Sequence, residues 1–164
     1  MTDSNAKGPH YWLFKSEPTA FSIDDLWKKP KSTDHWDGVR NFQARNMLRD
    51  SVKKNDLVFF YHSNCNPPGI AGIAKVVRAA YPDPSQWALQ SDYYDAKSTR
   101  ENPQWFMVDV QFVEKFSNLV TLEDLKSDAR LKNMVVVKPG NRLSISPVTA
   151  TEWALILEKA KKSL

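Results

Sequence analysis

The stretch HWDGVRNFQARN, which begins at His35, places an aromatic ring among groups that form hydrogen bonds. Trp36 is followed in quick succession by polar or flexible positions: Asp37, Gly38, Arg40 and Asn41. A ring offers a stacking face, a carboxylate accepts hydrogen bonds, and the amide of Asn41 both donates and accepts them. An extruded nucleobase needs this combination, because it stacks through its face and is read by hydrogen bonds along its edge. The stretch therefore favours base recognition.

Further polar residues stand near the ends of two predicted strands. Lys15 lies near the end of HYWLFKS, and LVFFYHS ends with Tyr61, His62 and Ser63. Lys15 and Arg40 provide the positive charge that attracts a nucleic-acid backbone. These groups would complete a pocket around the ring at position 36.

Each of these residues also has a purely structural interpretation. Trp36 could cap a small barrel, and Asn41 could serve only as a helix N-cap. Asp37 and Arg40 could pair with each other on the surface at little energetic gain. His62 is more often a hydrogen-bonded structural residue than a reader of bases. The conjunction at 36–41 is harder to explain in this way than any single residue.

Catalytic and cofactor chemistry have weaker support in the sequence. His62 and Cys65 resemble half of a metal site, but no second pair completes four ligands, so we expect no zinc. Glycine-rich phosphate loops are missing and the chain has 5 glycines, so we expect no nucleotide cofactor. Two alternatives stay open: a small hydrolase or nuclease that uses His62, and a protein-interaction module that uses the segment 81–104.

The composition indicates a single globular domain with a mild preference for polyanions. The chain has 164 residues, of which 41% are hydrophobic and 26% charged, and its formal net charge is +4. Cys65 is the single cysteine, which points to a reducing compartment. The N-terminal MTDSNAKGPH lacks the apolar core of a signal peptide, and LVFFY is too short to span a bilayer. We expect no membrane association.

Periodicity and capping signals outline an α+β domain that a small barrel would suit. Strands are predicted at 10–16, 57–63, 70–80, 105–116 and 142–148. Helices are predicted to begin at or near Ser22, Asn41, Thr121 and Thr149. Trp153 falls on the apolar stripe of the last helix and is expected in the core. The polar connection 81–104 is long enough to suggest a functional loop.

Several collinear segments resemble the EVE domain family. They are YWLFKSEP (11–18), WDGVRNFQARN (36–46), FFYHSNCNPPGIAGIAKVV (59–77), YPDPSQW (81–87), WFMVDVQF (105–112) and GNRLSISPV (140–148). The resemblance runs from about Tyr11 to Leu157. It predicts a single domain at 10–160, with a disordered segment at 1–9 and a basic tail at 161–164.

The resemblance implies a PUA-like fold: a mixed β-barrel of five or six strands with short peripheral helices. That superfamily includes the YTH domains, which hold methylated adenine in an aromatic cage. The implied function is a non-catalytic reader of a methylated or hydroxymethylated cytosine or adenine in DNA or RNA. No cofactor is implied, and we expect a monomer, cytoplasmic if the protein is of bacterial type and nuclear if it is eukaryotic.

The resemblance also assigns roles to individual residues. Those expected to line the base pocket are Lys15, Ser16, Trp36, Asp37, Gly38, Asn41, Tyr61, His62 and Ser63. Those expected at the rim, or near a phosphate or sugar, are Arg40, Arg45, Arg142, Trp87, Tyr93 and Tyr94. Trp36 is expected to be one wall of the cage and Asn41 the edge reader. On this view, replacing Trp36 by alanine abolishes selective binding with little unfolding.

Overall fold

Six strands form one mixed sheet in the computed structural model, which describes residues 10–162. The strands are β1 (Tyr11–Ser16), β2 (Thr33–Trp36), β3 (Leu57–His62), β4 (Gly69–Pro82), β5 (Phe106–Thr121) and β6 (Ile145–Val148). Their order across the sheet is β2-β5-β4-β3-β1-β6. β1 and β3 run parallel, and the other neighbouring strands run antiparallel.

Four α-helices surround the sheet and begin at the predicted caps. They are α1 (Ile23–Lys28), α2 (Phe42–Asp50), α3 (Leu122–Lys126) and α4 (Ala150–Lys162). Ser22 and Thr121 each form a reciprocal capping box, and Thr149 forms one with Glu152. The side chain of Asn41 accepts a hydrogen bond from the amide of Ala44. The predicted helix starts are therefore confirmed.

The sequence prediction missed β2. Its four residues, TDHW, pair with β5 from Thr33 opposite Gln111 to Trp36 opposite Val108. β5 itself extends to Thr121, beyond the predicted end at 116. The other strands occupy the predicted stretches, although β6 is limited to Ile145–Val148.

The sheet is not closed into a barrel, so that part of the prediction is wrong, while the α+β class, the strand number and the short helices are confirmed. Closure would join the two edge strands, β2 and β6, at about 4.8 Å. Both have only four residues. The ring of Trp36 on β2 packs against that of Phe14 on β1 with centroids 5.3 Å apart, so side chains rather than ladder hydrogen bonds connect this side of the sheet. The two edges therefore flank a gap.

Each face of the sheet has its own core. On β1, Phe14 belongs to one core and Leu13 to the other, as alternation along a strand requires. α2 closes the first core through Leu48, and α4 closes the second through Trp153. Trp153 stacks on Phe59 with ring centroids 3.8 Å apart, which confirms its predicted core position.

The long connection 81–104 folds back onto the sheet around two buried polar residues. The side chain of Gln86 accepts hydrogen bonds from the amides of Trp105 and Gln104, at 3.0 and 3.1 Å. Asp83 is fully buried. These contacts give the loop a defined position beside β2.

The predicted disordered segment 1–9 lies outside the described residues. α4 runs to Lys162, and residues 163–164 of the predicted tail also lie outside the described range. Within the described residues, no helix is both long and apolar enough to cross a membrane.

Candidate nucleic-acid interface

A cavity of about 480 Å³, called here the edge pocket, lies where β2 faces the ends of β1 and β6. It brings together six of the predicted site residues: Lys15, Ser16, Trp36, Asp37, Gly38 and Tyr93. It also includes residues that sequence reasoning missed: Glu17, Ala20, Phe21, Asp34, His35, Val39 and Ser144. Glu17 belongs to the family-like segment YWLFKSEP, and Asp34 and His35 directly precede Trp36, so proximity in sequence was the available signal.

Trp36 lines the edge pocket from within the core. Its residue is only 7% exposed, and its ring lies 5.2 Å from that of Phe60 and 6.2 Å from that of Phe21. One face of the pocket is therefore aromatic and rigid. Because the side chain fills core volume, its removal should cost stability, and the expectation of little unfolding stays a prediction. Its stacking on a base stays a prediction.

Acidic groups dominate the polar lining of the edge pocket. Three carboxylates, those of Glu17, Asp34 and Asp37, face a single ammonium group, that of Lys15. The carboxylate of Asp37 lies 3.8 Å from Nε2 of His35, beyond hydrogen-bond distance. Burial raises the pKa of Asp37, the charge of His35 opposes the shift, and Asp83 adds to it. The pocket thus offers carboxylate acceptors that suit a neutral ligand with hydrogen-bond donors and repel a phosphate.

The rim of the edge pocket is built by a contact between Gly38 and Tyr93. Gly38 has φ +77°, and a Cβ at this position would lie 2.6 Å from Cζ of Tyr93. Only glycine therefore lets the tyrosine ring rest there. Arg40 fixes the loop, since Nη2 donates to the carbonyl oxygen of Tyr93 at 2.9 Å and the guanidinium lies 5.2 Å from the Tyr93 ring.

Asp83 anchors this rim from below. Its carboxylate accepts from the amide of Gly38 at 2.9 Å and from Nη1 of Arg40 at 3.2 Å. Burial alone would raise the pKa of Asp83, but the hydrogen bonds from Ser85 and Gly38 and the charge of Arg40 lower it overall. The carboxylate therefore stays ionised, and Arg40 is engaged in holding the rim rather than turned towards a phosphate.

The structure places several other predicted site residues elsewhere. Asn41 is the N-cap of α2, and Arg45 donates to the carbonyl oxygen of Gln104 at 2.6 Å. Trp87 packs under the guanidinium of Arg100, 4.6 Å from its ring centroid. Three more lie outside the edge pocket lining: Arg142, Tyr94 and His62.

His62 has a structural role at the start of α1. Its Nε2 accepts a hydrogen bond from the amide of Ile23 at 3.1 Å, and its ring meets Phe60 edge-on at 5.5 Å. Burial lowers the pKa of His62, partly opposed by Asp24. A general base at this position would have to give up that hydrogen bond. Over residues 10–162, no group of three or more His, Cys, Asp or Glu side chains is arranged to hold a metal.

A second cavity, of about 290 Å³ and called here the lysine pocket, adjoins the first at Lys15. Tyr61 and Ser63, predicted for the base pocket, line this cavity instead. Its other walls come from α3 and from the segment 136–141. The residues predicted for one pocket are thus divided between two that share one side chain.

Residues 10–159 match the sequence profile of the EVE domain. Human thymocyte nuclear protein 1 is 46% identical over 169 residues, covering 93% of this chain and 74% of the relative. A solved structure of a protein from Leishmania major superposes with a TM-score of 0.90 at 47% identity, covering 96% of this chain and 98% of the other. The crystal structure of the human THYN1 protein in complex with DNA containing 5-methylcytosine superposes with a TM-score of 0.87 at 45% identity, covering 93% and 98%.

Proposed function

The chain belongs to the EVE domain family, and we propose that its edge pocket binds one extruded modified cytosine of DNA without catalysing a reaction. The human THYN1 protein, 45% identical to this chain, has been crystallised with DNA that contains 5-methylcytosine. That complex supports DNA as the ligand and cytosine as the base, narrowing the wider range that the sequence allowed. We propose that the protein is located in the cytoplasm if it is of bacterial type and in the nucleus if it is eukaryotic.

The observation that carries the proposal is the pairing of aromatic rings with carboxylates in the edge pocket. Phe21 and Trp36 form its apolar side, and the carboxylates of Asp34 and Asp37 line the same cavity. The exocyclic amino group of cytosine is a donor that carboxylates accept. The C5 position lies next to that amino group, so a methyl substituent would meet the apolar side. Lys15 would donate to the acceptors on the remaining edge.

The free energies of base extrusion, stacking and methyl burial are consistent with recognition of a modified base or of a weakened base pair. Extruding a base costs a few kcal/mol, and stacking on an aromatic ring contributes about 1–3 kcal/mol. Burying one methyl group adds about 0.8 kcal/mol, which corresponds to about fourfold tighter binding of 5-methylcytosine than of cytosine. The expected preference is therefore modest and depends on the rigidity of the aromatic side.

The two alternative functions have less support. A hydrolase that uses His62 as its base would first have to break the hydrogen bond from Ile23. An interaction module built on the segment 81–104 would need free aromatic rings there. Tyr93 is tied to Gly38 and Arg40, and Trp87 is half-buried beneath Arg100, which leaves Tyr94 as the exposed ring without such a role.

The test is a binding titration of the full chain with short single- and double-stranded DNA carrying one 5-methylcytosine, one cytosine or one thymine. The variant Asp37→Asn removes the carboxylate charge and replaces one acceptor oxygen with an NH2 donor, and Glu114→Gln on the exposed surface of β5 is the matched control. A hydrogen bond to a charged group contributes about 1.5–3 kcal/mol, so Asp37→Asn should weaken binding at least tenfold. Equal binding of all three bases, or equal affinities of the two variants, would refute the proposal.

A further inference from the structure

The lysine pocket takes no part in the base binding proposed above, but it adjoins the edge pocket. Lys15 lines both cavities, from the end of β1. We propose that the lysine pocket binds a backbone phosphate of the same DNA strand whose base enters the edge pocket. This inference rests on the proposed function and adds a second ligand site to it.

The charge of the lysine pocket is opposite to that of the edge pocket. Lys15, Lys126 and Lys138 line it, and no carboxylate is among its lining residues. Within residues 10–162, none of these three ammonium groups forms an ion pair or donates a hydrogen bond, whereas Lys115 lies 2.9 Å from the carboxylate of Asp24. Like charges around one cavity repel one another, and a bound anion relieves that repulsion. The cavity therefore favours an anionic ligand.

A tyrosine hydroxyl group lines the same cavity. Tyr61 is only 3% exposed and lines the lysine pocket, and its hydroxyl makes no hydrogen bond with any residue that the structure describes. Burial raises the pKa of Tyr61 to about 12, so the hydroxyl keeps its proton. The hydroxyl proton is therefore available to a ligand in the cavity, and a phosphate oxygen would accept a charge-assisted hydrogen bond from it. This donor points to a ligand independently of the lysines.

Another part of the lining is open enough for that ligand to enter. The turn Lys138–Asn141 forms it, and Gly140 has φ +74° with no atom within 4 Å of the position of a Cβ. Burial lowers the pKa of Lys15, because the charged form loses contact with solvent. A bound anion would raise that pKa again. Three cationic groups, one neutral donor and an open side are the features of a phosphate site.

The edge pocket determines which phosphate this is. Its three carboxylates repel a phosphate, so the backbone of an inserted nucleotide must leave on the side with the opposite charge. Lys15 marks that side, because it is the ammonium group shared by the two cavities. Lys15 would then contact base and phosphate of one strand at once, which couples the reading of the base to the position of the backbone.

The experiment measures binding of a single-stranded DNA with one 5-methylcytosine and of the same strand with an uncharged methylphosphonate on either side of that nucleotide. The test variant is the double change Lys126→Gln and Lys138→Gln. The matched control is Lys53→Gln with Lys54→Gln, which removes the same amount of charge from two exposed lysines. These lysines precede the start of β3, whereas Tyr61 of the lysine pocket lies near the end of that strand. Tyr61→Phe removes only the hydroxyl, and melting temperatures verify that every variant is folded.

One methylphosphonate should weaken binding by the wild-type chain about tenfold, with little further effect on the double variant. The magnitude of the slope of log affinity against log salt concentration should fall by about 0.7 for each phosphate contact that the double variant loses. In the control variant this magnitude should remain higher than in the double variant. Wild-type levels of binding by the double variant, with no methylphosphonate effect, would overturn the inference. The inference would also be overturned if inorganic phosphate shifted the NMR signals of the lysine pocket while the binding of DNA strands did not depend on that pocket. Equal wild-type binding of cytosine and 5-methylcytosine would instead contradict the proposed function.

Discussion

Replacing Trp36 by alanine measures how far the wall of the edge pocket is also part of the core. The side chain is 7% exposed, and its ring centroid lies 5.3 Å from that of Phe14 and 5.2 Å from that of Phe60. Truncating a buried tryptophan to alanine costs about 3–5 kcal/mol of stability. At about 2–4 °C per kcal/mol for a domain of this size, the melting temperature should fall by about 6–20 °C. The total stability of such a domain is about 5–15 kcal/mol, so the variant should still fold at 25 °C.

The assay is thermal and urea unfolding followed by near- and far-UV circular dichroism. Trp27→Ala is the matched control, because Trp27 is 57% exposed and its removal should change stability by less than about 1 kcal/mol. If Trp36→Ala melts within 2 °C of the wild-type chain, a limit of about 1 kcal/mol, the ring is not held in the core and the description of the aromatic side is wrong.

The same variant limits what a binding experiment can show. Loss of DNA binding by Trp36→Ala would combine lost stacking with a collapsed pocket wall. Trp36→Phe keeps most of the apolar volume while reducing the stacking face, and should retain more stability than the alanine variant. Binding that falls in Trp36→Phe at nearly unchanged melting temperature would assign a direct role to the indole.

Two further changes test the polar framework. Asp56 is 3% exposed and accepts hydrogen bonds from Nε1 of Trp12 at 2.9 Å and from two backbone amides. Asp56→Ala should therefore lower the free energy of unfolding in urea by at least about 1–3 kcal/mol. A loss below about 0.5 kcal/mol would contradict this. His62 has a lowered pKa, so the folded chain binds fewer protons than the unfolded chain between that pKa and 6.5, and stability should decrease as pH falls through this window. His62→Gln keeps an acceptor for the amide of Ile23 without the titration, and its stability should change less between pH 7 and 5; parallel pH profiles would refute the assignment.

The parts of the fold that depend on neighbouring residues were predictable from sequence. The starts of α1 and α3 follow from Ser22 and Thr121 with an acid three positions later, because capping is a local hydrogen-bond arrangement. β2 was missed because TDHW has no apolar alternation, and it is a strand only through its pairing with a distant part of the chain. Sheet order and the failure to close are likewise set by contacts between residues far apart in sequence.

The candidate site shows the same division. The sequence pattern identified Trp36, Asp37 and Gly38 as neighbours in one pocket, since they are consecutive. It placed Arg40 at the rim or near a phosphate or sugar, and the partners that hold it at the rim, Asp83 and Tyr93, lie in a loop that folds back from beyond position 80. Tyr61 lines only the lysine pocket whereas Lys15 lines both cavities, and spacing alone does not contain that information.

Because of the gap between the two edges of the sheet, the residues that determine ligand specificity differ from the strand pairings that stabilise the fold. Among the described residues, no ladder hydrogen bond joins β2 to β1 or β6, so the width of the edge pocket is set by side chains. Substitutions at Phe21 or Tyr93 can therefore reshape the cavity for a larger or smaller base while every strand pairing is kept. In a closed barrel, the same adjustment would strain the backbone. An open seam of this kind lets one framework diversify its ligands through a few replaceable side chains.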